Sequence, residues 1–309
     1  MKHIAFLGIM ALFSLGLSAC GTPTATVTAS PVAPAATQTP LQSATPTGGN
    51  ASLTTQQLRN MQYTLPFYQR TITLTNGTYQ EGTGGKGYSA KLLDNTVALG
   101  DLNDDGVADA VVAVVENGGG SGEFESLVAV LDQAGNPAQA GVVQLGDRVQ
   151  INSVAIQNGQ IVLQMLVQGP NDPMCCPSLP VTETYVLTKG NLAVVHLTSQ
   201  TTDGTVRTIQ IESPTAGTKV GGSVEVKGNV SVLPFEKTLG YRLYDTSDTQ
   251  IDGGSIMVEA DTAGSAGTFD ATIDLSKVAS GSTFRLVLLD TSAADGTTVA
   301  LDSIGLSKE

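Results

Sequence analysis

Apolar residues are laid along the chain in three distinct patterns. The first is a single block. Behind Lys2, an apolar stretch from Ile4 to about Leu17 ends in small residues before Cys20. It is shorter than the roughly 20 residues that span a bilayer comfortably, so it reads as a signal peptide over residues 1–19. The second pattern is a series of β-branched runs. TITLTNGTYQEG alternates about Asn76-Gly77, a strong two-residue hairpin signal. From Tyr88 to Leu197 come VVAVV, SLVAVL, IVLQMLVQ and TYVLTK, separated by Gly, Asn and Pro. Ahead of them, SLTTQQLRNMQY predicts one short helix with Thr54 or Thr55 as its N-cap. The third pattern is regular. After the polar stretch Thr198–Thr205 stand TIQIES, SVEVKGNVSV, LGYRLYD, GSIMVEA, TFDATIDL, TFRLVLLD and VALDSIGL.

These patterns predict a mainly β chain. A β-rich or α+β domain is expected over residues 51–200. An immunoglobulin-like β-sandwich is expected over 206–309, because seven short strands with polar turns suit that architecture. The chain has no Trp, so the Cys…Trp…Cys core of antibody domains is excluded. Residues 20–50 carry no charge and are rich in Thr, Pro and Ala. Such a segment cannot bury enough apolar surface to offset its ordering entropy, which predicts a disordered tether.

Charge narrows the class of partner. The 309 residues carry a formal net charge of −13. Without a basic patch, nucleic acid is not an expected partner. An acidic protein is also repelled by anionic lipid, so membrane attachment must be covalent or apolar. LSAC, Leu17 to Cys20, resembles the bacterial lipobox. The resemblance implies cleavage before Cys20 and diacylglycerol on its sulfur. The membrane is then a partner through the lipidated cysteine, and the protein is an extracytoplasmic, membrane-anchored lipoprotein of the cell envelope. An ordinary secretory signal with a chance cysteine is the other reading.

The one stretch with metal-ligand spacing is GDLNDDGVADAVV, Gly100 to Val112. Counting from Asp101, Asn103 is at position 3, Asp105 at 5, Gly106 at 6, Val107 at 7 and Asp109 at 9. A helix–loop–helix calcium site needs a bidentate Glu at position 12, where Val112 stands. The valine-rich exit also suits a buried strand better than a helix. The alternate spacing of hard oxygen ligands remains, with Val107 offering its backbone carbonyl. The loop resembles the D-x-N-x-D-G-x-x-D calcium loop of integrin-type repeats, which implies a structural Ca²⁺ on Asp101, Asn103, Asp105, Val107 and Asp109. Only one copy is present, so the propeller of those repeats does not carry over. Between Leu92 and Asp147 lie ten acidic residues and no Lys or Arg, which favours a screening cation. The competing reading is an acidic turn whose side chains cap local backbone groups.

Cys175 and Cys176 sit in the proline-bracketed GPNDPMCCPSLP. A vicinal disulfide stiffening that loop is the favoured expectation; free thiols and an interchain bridge stay open. Catalytic signatures are sparse. Beyond the signal peptide there is one histidine, His196, read as structural, and no G-x-S-x-G elbow exists. GTGGKGYS and GGGSG are read as flexible glycine-rich loops, since the first lacks the full phosphate-loop pattern.

Two further resemblances cover the domains. IESPTAGTKVGGSVEVKGNVSV, PFEKTLGYRLYD, GTFDATIDL and LLDTSAADGTTV, in that order, resemble the immunoglobulin-like domain of bacterial spore-germination proteins. That implies a β-sandwich in an envelope protein and no catalytic residues. GDLNDDGVADAVV, GGGSGEFESLVAVL, LGDRVQI and GPNDPMCCPS resemble an uncharacterised family of bacterial lipoprotein domains, which implies no activity. The resulting expectation is a non-enzymatic, calcium-stabilised binding or adhesion module with a surface protein or glycan as ligand. A germination-associated protein and a hydrolase of wall or extracellular polymer are the alternatives.

Overall fold

A computed structural model describes residues 53–82, 87–262 and 264–309. Cys20, the signal peptide and the tether therefore lie outside the described residues. The first ordered element is one helical turn, α1 (Thr55–Leu58). Thr54 caps it: its Oγ1 accepts from Gln57 N at 3.2 Å, and Gln57 Oε1 accepts from Thr54 N at 2.9 Å. The rest is almost wholly strand, as expected of a mainly β chain.

The first module contains β1 (Gln62–Leu65), β2 (Arg70–Thr73), β3 (Thr78–Gln80), β4 (Ser89–Gly100), β5 (Asp109–Asn117), β6 (Phe124–Gln133), β7 (Asn136–Asp147), β8 (Gln150–Gln157), β9 (Gln160–Val167), β10 (Leu179–Leu187) and β11 (Leu192–Gln200). Strands β3 to β7 form an antiparallel meander, and β8 to β11 form a second. Asn76 (φ 52°) and Gly77 (φ 84°) make the expected tight turn. However, its flanks join different sheets: β2 pairs with β1, and β3 pairs with β4. Only Thr75 and Thr78 bridge across the turn.

Three layers result. One face of the β3–β7 sheet packs on β8–β11 through Val111, Leu127, Ala129, Ile161, Leu163 and Tyr185. The other face is covered by α1 and the β1–β2 hairpin through Leu58, Tyr63, Leu65, Val112, Val114, Val128 and Val130. Strands β5 and β6 are therefore buried on both faces. This is why ADAVVAVV and SLVAVL are continuous apolar runs rather than alternating ones.

The second module contains β12 (Val206–Arg207), β13 (Ile209–Ser213), β14 (Lys219–Val220), β15 (Ser223–Val230), β16 (Thr238–Tyr244), β17 (Gln250–Met257), β18 (Gly267–Asp274), β19 (Thr283–Thr291) and β20 (Thr298–Lys308). Sheets β13-β15-β18 and β17-β16-β19-β20 face each other. Their inner residues, among them Val226, Leu239, Leu243, Phe269, Ile273, Leu286 and Leu288, form the sandwich core. All seven expected strands are present.

The modules share a sheet. β11 pairs with β20 at His196–Asp302, Leu197–Leu301 and Thr198–Ala300. Side chains reinforce the ladder. Arg285 Nη1 donates to Val194 O at 2.9 Å, and Ser303 Oγ donates to Val195 O at 2.9 Å. The polar stretch after Thr198 is a tight reversal, closed by Thr201 N donating to Thr205 O at 2.9 Å. His196 belongs to this seam, with Nδ1 3.4 Å from Asp302 Oδ1.

Candidate functional site

Strand β5 carries a fully buried carboxylate at its start, Asp109, and another one residue before its end, Glu116. Each organises a loop cluster, at opposite ends of the first module.

At the Asp109 end, the loop from Asp101 to Ala108 joins two strands, β4 and β5. Asp104 (φ 59°) and Gly106 (φ 82°) turn it. Asp101 Oδ2 accepts from Gly106 N at 2.8 Å, and its Oδ1 accepts from Asn103 N and Asp105 N. Asp105 Oδ1 accepts from Val107 N at 2.8 Å, and Oδ2 accepts from the Asn103 amide at 2.9 Å. Asp109 accepts from Leu102 N and from Asp132 N on β6, both at 2.9 Å. Burial pushes its pKa up, the two N–H bonds pull it back, and Asp105 and Asp101 push it up again. The donor set is of the hard-oxygen type that suits Ca²⁺, and each carboxylate oxygen carries two lone pairs. As arranged, those oxygens face N–H groups of the loop. Among the described residues, no group of three or more His, Cys, Asp or Glu side chains is placed to hold a metal ion.

At the other end, five loops meet. Glu116 Oε1 accepts from the Tyr88 hydroxyl at 2.9 Å. Burial raises the Glu116 pKa; Tyr88 and the main-chain N–H groups of Tyr68 and Phe67 oppose that rise. Its Oε2 has no close partner. The carboxylate thus faces the main chain of the β1–β2 hairpin tip, which carries Phe67 and Tyr68, from the end of β5. Rings complete the attachment. Phe67 stacks on Phe124 at 3.5 Å between centroids, while Tyr68 stands edge-on to Phe124 and Tyr88 at 5.9 and 5.5 Å. A Cβ on Gly118 would lie 2.5 Å from the Tyr68 hydroxyl, and one on Gly122 would lie 2.7 Å from the Phe124 ring. These two glycines of GGGSG are therefore demanded by close packing, where the sequence read flexibility.

Arg148 ties in the remaining loops. Its guanidinium donates to Ser121 O, to Asp147 Oδ2 at 2.7 Å and to Met174 O at 3.3 Å. Met174 precedes Cys175 and Cys176, which are bonded to each other. Three of the four sequence blocks that resemble a lipoprotein domain meet at this one guanidinium. The sequence reading missed Phe67, Tyr68, Glu116 and Arg148. One signal was available: an exposed-looking aromatic pair after Pro66, in a chain only 5% aromatic.

Two grooves flank the module seam, with volumes of about 750 and 840 Å³. Their acidic side chains are all engaged. In the first, Asp248 pairs with Arg285, and Asp245 accepts from Ser247 N and Thr249 N. In the second, Asp290 pairs with Arg207, and Asp172 accepts from Gly169 N and Ser178 N.

Residues 208–297 match the immunoglobulin-like domain of bacterial spore germination. The match covers most of the germination-type module and none of the first. No curated protein matches the chain.

Glu125, beneath the Arg148 corner, is buried and accepts from Val149 N at 3.0 Å. Burial pushes its pKa from 4.5 up to about 7; the Val149 N–H opposes the rise, and Glu123 and Asp147 add to it. An acid whose pKa is raised on folding contributes stability below its unfolded pKa and loses it as pH rises through the folded value. Chemical denaturation from pH 4 to 8 should therefore show wild type losing stability relative to Glu125→Gln, by at most about 3 kcal/mol. A constant difference across that range would contradict the assignment.

Proposed function

We propose that the chain is a lipid-anchored extracytoplasmic binding protein. It is held at the membrane through Cys20 and carries its ligand surface at the Phe67–Tyr68 end of the first module. The observation that carries this reading is the placement of exposed apolar side chains. Six large hydrophobics are exposed among the described residues; Phe67, Tyr68 and Met174 lie in the loops gathered by Glu116 and Arg148. A fixed aromatic patch of this kind is a recognition feature rather than a packing one. The engagement of the groove carboxylates supports binding over hydrolysis, since polymer cleavage needs a carboxylate pair free to exchange protons. A germination-associated role is the second reading, favoured by the family match of residues 208–297. In cosedimentation with envelope preparations, Phe67→Ala combined with Tyr68→Ala should weaken binding at least tenfold while leaving the circular dichroism spectrum unchanged. Undiminished binding by the double variant would refute the placement of the surface.

Calcium enters this reading as a stabiliser of the Asp101–Asp109 loop. The support is the ligand spacing and the mutual repulsion of Asp101, Asp104, Asp105 and Asp109 within nine residues. Without a bidentate Glu at position 12, affinity belongs in the range of about 10⁻⁴–10⁻³ M. Calcium at about 10 mM should then raise unfolding stability by roughly 1–3 kcal/mol, an effect lost in Asp101→Asn/Asp105→Asn. No shift and no heat of binding at that concentration would leave the loop to its own N–H donors.

A further inference from the structure

The geometry of the Phe67–Tyr68 end points to uncharged sugar rings of a polysaccharide as its ligand; the inference rests on the binding reading above and specifies the ligand class. Three observations lead there. The first is shape. Phe67 lies nearly parallel to Phe124, at 15°, so one face of its ring is covered. Phe67 is nonetheless 37% exposed, so the residue meets solvent away from the face that Phe124 covers. Tyr68 stands at 72° to Phe67 with ring centroids 4.8 Å apart, and is 36% exposed. A flat platform with an upright wall accepts the apolar C–H face of a pyranose and closes on its edge.

The second observation is charge. Both described arginines at this end are neutralised: Arg70 by Glu81 at 2.6 Å and Arg148 by Asp147 at 2.7 Å. Glu123 lies beside Arg148, whose N–H donates to its carbonyl, and the chain is strongly acidic. Among the described residues, the charges at this end repel anionic polymers and offer no unpaired guanidinium fork to a phosphate or carboxylate.

The third is area. With side chains of about 200 Å² each, Phe67 and Tyr68 offer on the order of 150 Å² of apolar surface, and the 66%-exposed Met174 of the neighbouring Cys175 loop about as much again. A standard protein interface needs about 800 Å² on each side. The patch is small for a folded protein and suited to one or two sugar rings. A polysaccharide presents such rings repeatedly, so many weak contacts add to a retained complex. Pre-organisation by Glu116 and the ring cluster lowers the ordering cost of each contact.

The chain contains no tryptophan, so Phe67→Trp supplies a single emission reporter that keeps the platform aromatic. The purified protein is cosedimented with chitin, with cellulose and with peptidoglycan freed of anionic polymers, and titrated with chitotetraose and cellotetraose. Retention on at least one polymer is expected, with at least tenfold weaker retention of Phe67→Ala/Tyr68→Ala. Phe67→Trp should be retained and shift its emission with the matching oligosaccharide. No retention on any of the three polymers, or retention indifferent to the double variant, overturns the glycan assignment. If envelope preparations still bind wild type and not the double variant, the surface stands and its ligand is a protein. If neither binds, the surface reading falls as well.

Discussion

Strand β5 is covered on both faces, and that constraint sets most of what surrounds it. A strand between two apolar layers can place polar groups only at its ends. There, each must find donors without water, because an unpartnered buried carboxylate is costly. Asp109 meets this by gathering N–H groups from the acidic loop and from β6. Glu116 meets it in part, with the Tyr88 hydroxyl on one oxygen and the main-chain N–H groups of the β1–β2 hairpin tip near the other. Two loop clusters at opposite ends of the module are thus fixed by one strand. The acidic loop and the aromatic corner are positioned by the same burial.

Much of this fold was legible in the sequence because it is local. The run ADAVVAVV announced a buried strand, SLVAVL a β-branched one, and seven regularly spaced short strands announced the sandwich. The short helix was legible with its cap narrowed to Thr54 or Thr55, and Thr54 forms it with Gln57. What was not legible depends on distant approach. Glu116 sits in a valine run where a charge reads as the end of a strand, and its hydroxyl donor lies 28 residues away. GGGSG read as a flexible loop because nothing local reveals the Tyr68 and Phe124 rings that press on it. The turn at Asn76-Gly77 was correct in place, yet pattern alone could not say that its flanks pair elsewhere.

The seam between modules was hidden for the same reason. β11 and β20 are brought together across about a hundred residues; Ser199 Oγ donates to Val299 O at 2.6 Å. Edge strands carry no periodic mark that names their partner. Joining two edges covers both and makes the first module and the germination-type module neighbours in one hydrogen-bonded sheet. The aromatic corner therefore stands at a set orientation to the second module, without a swinging linker between them. Such rigidity suits a protein that displays a binding surface, since geometry is not re-established at each encounter.

The central claim is that a buried carboxylate at the end of β5 holds the aromatic corner in place. Aromatic ¹³C relaxation of Phe67 and Tyr68, compared between wild type and Glu116→Ala, tests it most directly. The account predicts rigid rings in wild type, with order parameters near about 0.85, falling below about 0.6 in the variant while the β5 amides stay rigid. Rings that remain equally ordered without the carboxylate would contradict it.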